Sequence, residues 1–378
     1  MIKKQKIIFT PIEEKTIVWF ENNNEYLILE NTTADILKRL YNGISVKTIS
    51  KVLSKKLSVP VEKANDFVLE LEKKIYATKK NSKIINDYRD YKKPTNFQFL
   101  KFYKVNNLVF KVSFSNEFEL SLIHPKFAHL ETEYSNEINN NFEIFENNNY
   151  TLLLVDNKFI GAWSKKDIHF FQGKFSMELI QKIHKKEENE WLGVFHASAV
   201  SNKKKSILFL GDSGNGKSTS LALLQANGHT CLADDFVPVD FLKQEVYSFP
   251  AAISIKKNSI KTLLPLYPEL ETTAEYRFKR LNKIVRFLKP NNSIFFNHLP
   301  CNDLVFIKYK KDSDLICRKI SKIDAFQQLV PDSWLSPLKE NAQQFLDWFA
   351  KLNCFQLTYS NNNEMVKAVS QIFKNDDI

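Results

Sequence analysis

The chain has 378 residues, more than one ordinary hydrophobic core needs, so two or three domains are expected. Hydrophobic residues make up 43% of the sequence, but apolar runs such as Leu152–Val155 and Ile207–Leu210 are only as long as a β-strand, which excludes a transmembrane helix. The basic N-terminus lacks the apolar stretch and cleavage site of a signal peptide. We therefore expect a soluble cytoplasmic protein that does not bind membranes.

The formal net charge of +11 favours anionic partners in general. However, the lysines are spread along the whole chain beside abundant Asn, Ile and Phe, a bias typical of AT-rich coding sequences, so no specific nucleic-acid partner is predicted. The four cysteines are scattered without a C-x-x-C pair. This spacing argues against both a disulfide framework and a zinc site.

The N-terminal residues predict a small domain of their own. Residues 2–30 alternate in short apolar runs and predict two or three strands, the last over Tyr26–Glu30. Three amphipathic helices are then predicted after Asn31, after Ser45 and after Pro60, because apolar residues keep helical spacing there. We assign residues 1–80 to a winged-helix-like α+β domain and the polar residues 81–95 to a linker.

Residues 96–190 predict a β-rich subdomain with a helix over Ser176–Lys185. Its strand-like alternation is clearest in five segments: Leu108–Phe114, Phe118–Ile123, Phe142–Phe145, Tyr150–Val155 and Phe159–Trp163. From Val194 onward the pattern becomes strand, glycine loop, helix and strand, which is typical of an α/β nucleotide-binding core. Residues 191–378 are therefore predicted to form the catalytic domain.

The most specific motif is the glycine loop that follows the apolar strand Ile207–Leu210. It fits G-x-x-x-x-G-K-[ST]; its glycines let backbone N–H groups point inward around a phosphate, and the next helix adds its positive N-terminal end. Lys217 is expected to reach the β- and γ-phosphates of ATP, and Ser218 to place its hydroxyl on Mg²⁺. The predicted ATP-binding residues here are Gly211, Asp212, Ser213, Gly214, Asn215, Gly216, Lys217, Ser218 and Thr219.

A carboxylate pair, Asp234 and Asp235, ends the next predicted strand, Thr230–Ala233. Adjacent acids beside a phosphate loop indicate a division of labour, in which one binds Mg²⁺ and the other deprotonates an acceptor hydroxyl. The sequence does not decide which does which; we place Asp234 with Ser218 at the metal and keep both acids as candidate catalytic residues. The alternative is an acidic turn that caps the following segment.

Three segments together resemble the HPr kinase/phosphorylase family, relatives of the ATP-dependent phosphoenolpyruvate carboxykinases. They are Phe195–Ala197, Gly211–Ser218 and Gly228–Asp235, and the resemblance covers residues 190–250 well and 97–330 loosely. It implies that Asp235 or Asp234 activates a serine hydroxyl, that Lys217 and Ser218 hold the nucleotide, and that His196 lies near the phosphates. It is compatible with a homo-oligomer without requiring one.

The chain departs from that family downstream of the acid pair. The glycine-containing phosphorylase loop is not found, which puts reverse phosphorolysis in doubt, and a basic run takes its place: Arg277, Lys279, Arg280, Lys283, Arg286 and Lys289. This run is expected to supply a transition-state clamp or to hold an acidic substrate, and we assign Arg286 to the nucleotide site. The alternative is a solvated basic face.

The N-terminal segment is similar to PqqD-like domains, the leader-recognition elements of ribosomal peptide natural-product enzymes. The similarity is carried by Tyr26–Leu37, by Asn42-Gly43 and by the three helices that end near Ile75. It implies that a leader peptide adds a strand to the edge at Tyr26–Glu30 and packs against the third helix near Phe67 and Leu71. The alternative is a small helical domain that only packs on the kinase.

The predicted fold class is an α/β P-loop kinase core with a preceding β-rich segment and a small N-terminal winged-helix-like α+β domain. The predicted function is an ATP- and Mg²⁺-dependent kinase that phosphorylates a serine of a ribosomally synthesised precursor peptide, as in lasso-peptide tailoring kinases. Three alternatives stay open: an HPr-type serine kinase for a folded carrier protein, an ATP-sensing winged-helix DNA-binding regulator, and a peptide-binding chaperone with a degenerate nucleotide site.

Overall fold

The computed structural model of the chain describes residues 4–76, 91–278, 283–292, 295 and 298–374. The fold is mixed α/β with several sheets, and the chain forms two compact units. The first unit combines Met1–Asn81 with Ile320–Lys351, and the second combines Ser82–Lys319 with Leu352–Ile378. None of the helices in the described part of the chain is both long enough and apolar enough to cross a lipid bilayer.

The N-terminal elements follow the predicted order of three strands and three helices. The antiparallel strands lie side by side in sequence order: β1 (Ile7–Ile12), β2 (Lys15–Phe20) and β3 (Glu25–Glu30). The helices are α1 (Asn31–Tyr41), α2 (Val46–Leu57) and α3 (Val61–Ile75). As expected from the sequence, Ser45 caps α2, since its hydroxyl accepts a hydrogen bond from the Thr48 N–H at 3.2 Å.

The second unit begins with a six-stranded sheet and two helices. In chain order they are β4 (Phe99–Val105), β5 (Leu108–Phe114), α4 (Glu117–Phe127), β6 (Glu131–Thr132), β7 (Asn140–Asn147), β8 (Tyr150–Val155), β9 (Lys158–Ser164) and α5 (Ile168–His184). The strand order is β6-β4-β5-β7-β8-β9.

Two predictions for this segment were wrong. Phe118–Ile123 is helical rather than a strand, because the Asn116 side chain caps α4 by accepting from the Glu119 N–H at 3.0 Å. The helix buries Leu122, Ile123 and Phe127, so packing at helical spacing overrides the local alternation. Helix α5 starts at Ile168, earlier than the predicted Ser176.

The region that contains the glycine loop follows. Its elements are β10 (Trp191–Phe195), β11 (Ser198–Ser201), β12 (Ser206–Leu210), α6 (Lys217–Ala226), β13 (Thr230–Asp234), β14 (Val237–Asp240), β15 (Glu245–Tyr247), β16 (Ile253–Lys256), α7 (Lys257–Leu263), β17 (Tyr276–Phe278), β18 (Lys283–Leu288), β19 (His298–Tyr309) and β20 (Ile316–Lys319).

The chain then returns to the first unit through α8 (Lys322–Leu329), β21 (Trp334–Leu335) and α9 (Lys339–Lys351). One face of the N-terminal sheet packs on α1–α3, and on the other face Tyr26 meets Phe326 and Phe345, with ring centroids 5.9 and 5.6 Å away. The sequence pattern predicts residues 320–351 as part of the catalytic domain. The structure groups them with the N-terminal sheet instead, because that sheet is apolar on both faces and needs a second cover.

The last elements, β22 (Asn353–Tyr359) and α10 (Asn362–Lys374), complete the second unit. Its main sheet contains the series β13-β11-β12-β19-β22-β20, in which β12, β19 and β22 are parallel. Strand β11 is antiparallel to both β12 and β13. The carboxyl ends of β12 and β13 therefore lie at the same edge of the sheet, so the topology brings the glycine loop and the acid pair together.

Candidate active site

The glycine loop joins the fully buried strand β12 to helix α6, as the sequence predicts. Gly211 has a φ of +132°, and a Cβ atom there would lie 2.8 Å from the Ile307 carbonyl oxygen of the neighbouring strand β19. Gly216, at the N-cap of α6, has a φ of +99°. Both positions require glycine, because a side chain would clash at the first and strain the backbone at the second.

The side chains of Lys217 and Thr219 both donate hydrogen bonds at the loop. The Lys217 side chain is 9% exposed, and its ammonium group donates to the Gly211 carbonyl oxygen. The Thr219 hydroxyl donates to Ser259 Oγ of α7 at 2.7 Å. The Lys217 ammonium group therefore lies next to the first residue of the loop.

Asp234 lies at the end of β13, is 2% exposed and accepts several hydrogen bonds. The Ser218 hydroxyl contacts its two carboxylate oxygens at 3.1 and 3.0 Å, the Ser198 hydroxyl donates at 2.6 Å and the Ser254 N–H at 3.0 Å. Burial and the neighbouring Asp235 raise the pKa of Asp234, and these three donors act in the opposite direction.

The pairing of Ser218 with Asp234 fits a magnesium site. A hydroxyl and a carboxylate are hard oxygen ligands of the kind that Mg²⁺ prefers. Within the described ranges, no group of three or more His, Cys, Asp or Glu side chains could hold a metal ion. Mg²⁺ at this position would therefore take its remaining ligands from nucleotide phosphates and water, as is usual for this ion in kinases.

Asp235 is placed differently from its neighbour. Its backbone is left-handed, with a φ of +68°, and its N–H donates to the Ala197 carbonyl oxygen at 2.9 Å. The side chain is 41% exposed, and its two oxygens lie 2.9 Å from His196 Nδ1 and 3.1 Å from Lys126 Nζ. Partial burial raises the pKa of Asp235, but Lys126 and His196 outweigh it and hold the pKa well below its usual value.

One cavity connects most of the predicted site residues. It is lined by His196, Asp212, Ser213, Gly214, Gly216, Lys217, Ser218, Thr219, Asp235, Ser254, Lys256, Ser259 and Val285. Asp234 reaches this cavity through its hydrogen bonds with Ser218. Asn215 and Gly211 belong to the loop without lining the cavity; the Asn215 carbonyl oxygen accepts from the Tyr309 N–H at 2.9 Å.

Arg286 does not join this group. In the small sheet β16-β18-β17 its register partner is Ile255, whereas Val285, one residue earlier, lies opposite Lys256 and lines the cavity. Because successive side chains of a strand point to opposite faces, Arg286 points away from the cavity. Its guanidinium donates to the Leu270 and Glu271 carbonyl oxygens instead.

Among the other described members of the basic run, Arg277 and Lys289 do not line this cavity. Arg277 pairs with Glu275 at 3.2 Å, which is typical of a solvated surface residue. Lys279 and Arg280 lie outside the described residues, and so does the side chain of Lys283.

Sequence reasoning missed several residues of the site. Lys126 comes from α4, 109 positions before Asp235, and Lys256 donates to Ser213 Oγ at 2.9 Å from β16. Ser198 faces Asp234 across the β11–β13 register, and Ser254 reaches it from β16. None of these four belongs to a local motif, although Ser198 follows His196 closely enough to be considered with it.

No protein-family model matches the sequence, and no curated protein matches it. Among solved structures, the chain is similar to the Hpr(Ser) kinase/phosphatase from Coxiella burnetii, with 10% sequence identity and a TM-score of 0.23. The similarity covers 48% of this chain and 95% of that chain. A TM-score this low does not establish a common fold, so the resemblance to the HPr kinase/phosphorylase family remains one of short motifs.

Proposed function

We propose that the chain is an ATP- and Mg²⁺-dependent kinase that phosphorylates a serine hydroxyl of a ribosomally synthesised precursor peptide. The observation that carries this proposal is the meeting of the glycine loop with the acid pair: the Ser218 hydroxyl lies 3.0 Å from Asp234 Oδ2, and Asp235 lines the same cavity as the loop. Phosphoryl transfer needs a phosphate cradle, metal ligands and a group that receives the acceptor proton. The arrangement offers all three.

The loop and helix α6 form the phosphate side of the site. Inward-facing N–H groups, the positive N-terminal end of α6 and the Lys217 ammonium suit the β- and γ-phosphates of ATP. Ser218 and Asp234 would hold Mg²⁺. The bound ion would neutralise charge on the phosphate oxygens.

Asp235 is the better candidate for the general base. Both carboxylates accept hydrogen bonds, but Asp234 is buried, whereas Asp235 is partly exposed and lines the cavity. In the proposed step, the serine oxygen bonds to the γ-phosphorus, the bond from phosphorus to the β–γ bridging oxygen breaks, and ADP leaves. The serine proton passes to Asp235, whose carboxylate is oriented by His196 and Lys126.

The peptide substrate is inferred from the N-terminal unit. Strand β3 lies at the edge of its sheet and pairs with β2, so its outer edge is suited to strand addition. Phe67 of α3 is 40% exposed, which suits an apolar anchor for a bound peptide. Capture of a leader segment there would raise the local concentration of the acceptor serine.

Two other functions compete with this one. A serine kinase for a folded carrier protein would use the same catalytic groups without a leader peptide. A DNA-binding regulator would explain the charge of +11, but it has no need of an accessible carboxylate held by two basic side chains beside the phosphate loop.

The catalytic assignment is tested by comparing Asp235→Asn with Asp234→Asn. We expect Asp235→Asn to bind Mg·ATP normally but to transfer phosphate at least about 100-fold more slowly, because an amide cannot accept the hydroxyl proton. Asp234→Asn should instead weaken the Mg²⁺ dependence of nucleotide binding. Nucleotide binding is measured by calorimetry and transfer by mass spectrometry of the acceptor. An active Asp235→Asn beside an Asp234→Asn that binds Mg·ATP but transfers nothing would reverse the two roles.

The peptide assignment is tested on the full chain with Phe67→Asp. Leu69→Asp is the matched control, because Leu69 is 38% exposed but lies on another side of the same helix. We expect Phe67→Asp to raise KM for a full-length precursor and to leave KM for a leaderless core peptide unchanged, while Leu69→Asp changes neither. Equal KM values for Phe67→Asp and the unmodified chain would favour the carrier-protein alternative.

A further inference from the structure

Lys256 reaches the phosphate loop from a different sheet than the one that carries the loop. It ends β16, where Ile253 and Ile255 are fully buried and the alternate residues Ser254 and Lys256 line the cavity. The alternation of a strand therefore places Lys256 on the cavity side. The proposed reaction above gives this residue no role.

The register between β16 and β18 places a different cation at the cavity from the one that the sequence predicts. Lys256 lies opposite Val285, and Ile255 lies opposite Arg286, so Lys256 rather than Arg286 has its charge on the cavity side. The guanidinium of Arg286 is meanwhile held by backbone carbonyl groups of residues 270 and 271. The position expected of an arginine clamp is therefore occupied by a lysine.

The contacts of β16 link the metal side of the site to the phosphate loop. The Ser254 N–H donates to Asp234 Oδ2 at 3.0 Å, and two residues later the Lys256 ammonium donates to Ser213 Oγ at 2.9 Å. Lys217, by contrast, projects from α6 and contacts the first residue of the loop. Two ammonium groups thus approach one loop from two different elements.

We propose that Lys256 binds the terminal phosphate of bound ATP, an assignment that rests on the proposed kinase function. The loop and the start of α6 would hold the phosphates, and Lys256 would reach them from β16, because it lines the same cavity. Asp235 lines the same cavity, so the phosphoryl group to be transferred lies between that carboxylate and the loop. An ammonium group there neutralises the charge that spreads over the oxygens of the transferred group.

The test compares the binding of Mg·ATP and Mg·ADP to the full-length chain by calorimetry. We expect Lys256→Met to weaken Mg·ATP binding by about 10- to 100-fold, the usual contribution of a hydrogen bond to a charged group, and to leave Mg·ADP binding unchanged. Lys256→Arg should restore most of the ATP affinity. Lys257→Met is the matched control, because the neighbouring lysine is exposed and its loss makes the same change in net charge.

The outcomes separate this inference from the proposed function. If the unmodified chain binds Mg·ATP more tightly than Mg·ADP and Lys256→Met keeps that preference, the inference is overturned and the kinase assignment stands. Equal losses of ATP and ADP affinity also overturn it, because they indicate a general charge effect. If the unmodified chain binds neither nucleotide, the kinase assignment and the inference both fail. Lys256→Gln repeats the comparison with a polar side chain if Lys256→Met does not fold.

Discussion

Glu119 should make the stability of the second unit depend on pH in a defined direction. This carboxyl group lies on α4, the helix that brings Lys126 to Asp235, and it is fully buried. One oxygen accepts from the Ser115 N–H and hydroxyl at 3.0 and 2.9 Å, and the other has no hydrogen-bond partner among the described residues. Burial raises the pKa of Glu119 from 4.5 to about 7.

The size of the effect follows from that pKa. Between pH 4.5 and 7 the folded chain binds more protons at Glu119 than the unfolded chain does, so the unfolding free energy falls as pH rises. Each pKa unit corresponds to about 1.4 kcal/mol, so the unfolding free energy above pH 7 is lower than at acid pH by ~3 kcal/mol. Glu119→Gln removes this titration. The unfolding free energy of the variant should therefore rise by ~3 kcal/mol relative to that of the original chain between acid pH and pH 8.

The measurement is urea unfolding of both chains at pH 4.5, 6 and 8, followed by circular dichroism. All other titrating groups are the same in the two chains, so their effects cancel in the difference between the two unfolding free energies. Glu117→Gln is the matched control, because Glu117 is exposed on the same helix and the substitution makes the same chemical change. If the difference in unfolding free energy between Glu119→Gln and the original chain does not change with pH, the prediction is wrong, because the carboxyl group then ionises equally in the folded and the unfolded chain.

Three further predictions concern the site and the first unit. Lys217→Ala should abolish ATP turnover, measured as ADP release, without changing the circular dichroism spectrum; retained turnover would remove the phosphate-loop assignment. Arg286→Gln should lower the unfolding free energy by ~1–2 kcal/mol but leave Mg·ATP affinity unchanged, and a tenfold loss of affinity would place Arg286 in the site after all. Deleting residues 1–80 should lower the melting temperature of the remaining chain and cause aggregation, because Phe326 and Phe345 lose the sheet that covers them; a stable monomer on size-exclusion chromatography would contradict this.

The phosphate loop and the acid pair could be predicted from the sequence because their requirements are local. Glycine at 211 and 216 is needed by the backbone itself, and the motif contains the lysine and serine that its chemistry uses. The acid pair ends a short strand close behind the loop. Strands β12 and β13 run in the same direction on either side of β11 and bring their carboxyl ends to one edge of the sheet, so the two motifs meet.

The N-terminal strands and helices could also be predicted, because each carries its own periodicity and Ser45 caps α2. The extent of their unit could not. Tyr26 packs against Phe326, 300 positions later, and no local pattern shows which segment covers the second face of a sheet. The helix α4 was missed because its local alternation favours a strand, whereas the Asn116 cap and the packing of Leu122, Ile123 and Phe127 favour a helix.

Three parts of the candidate site were decided by the tertiary structure alone. The exchange of Arg286 for Lys256 depends on the register between β16 and β18, where a shift of one residue moves each side chain to the other face. The pairing of Lys126 with Asp235 joins segments 109 positions apart. The different burial of Asp234 and Asp235, on which their proposed roles as metal ligand and base rest, depends on the tertiary structure. The sequence alone determined the glycine loop with Lys217 and Ser218, because these residues lie in one short motif. Long-range strand pairing decided which basic and acidic groups face them.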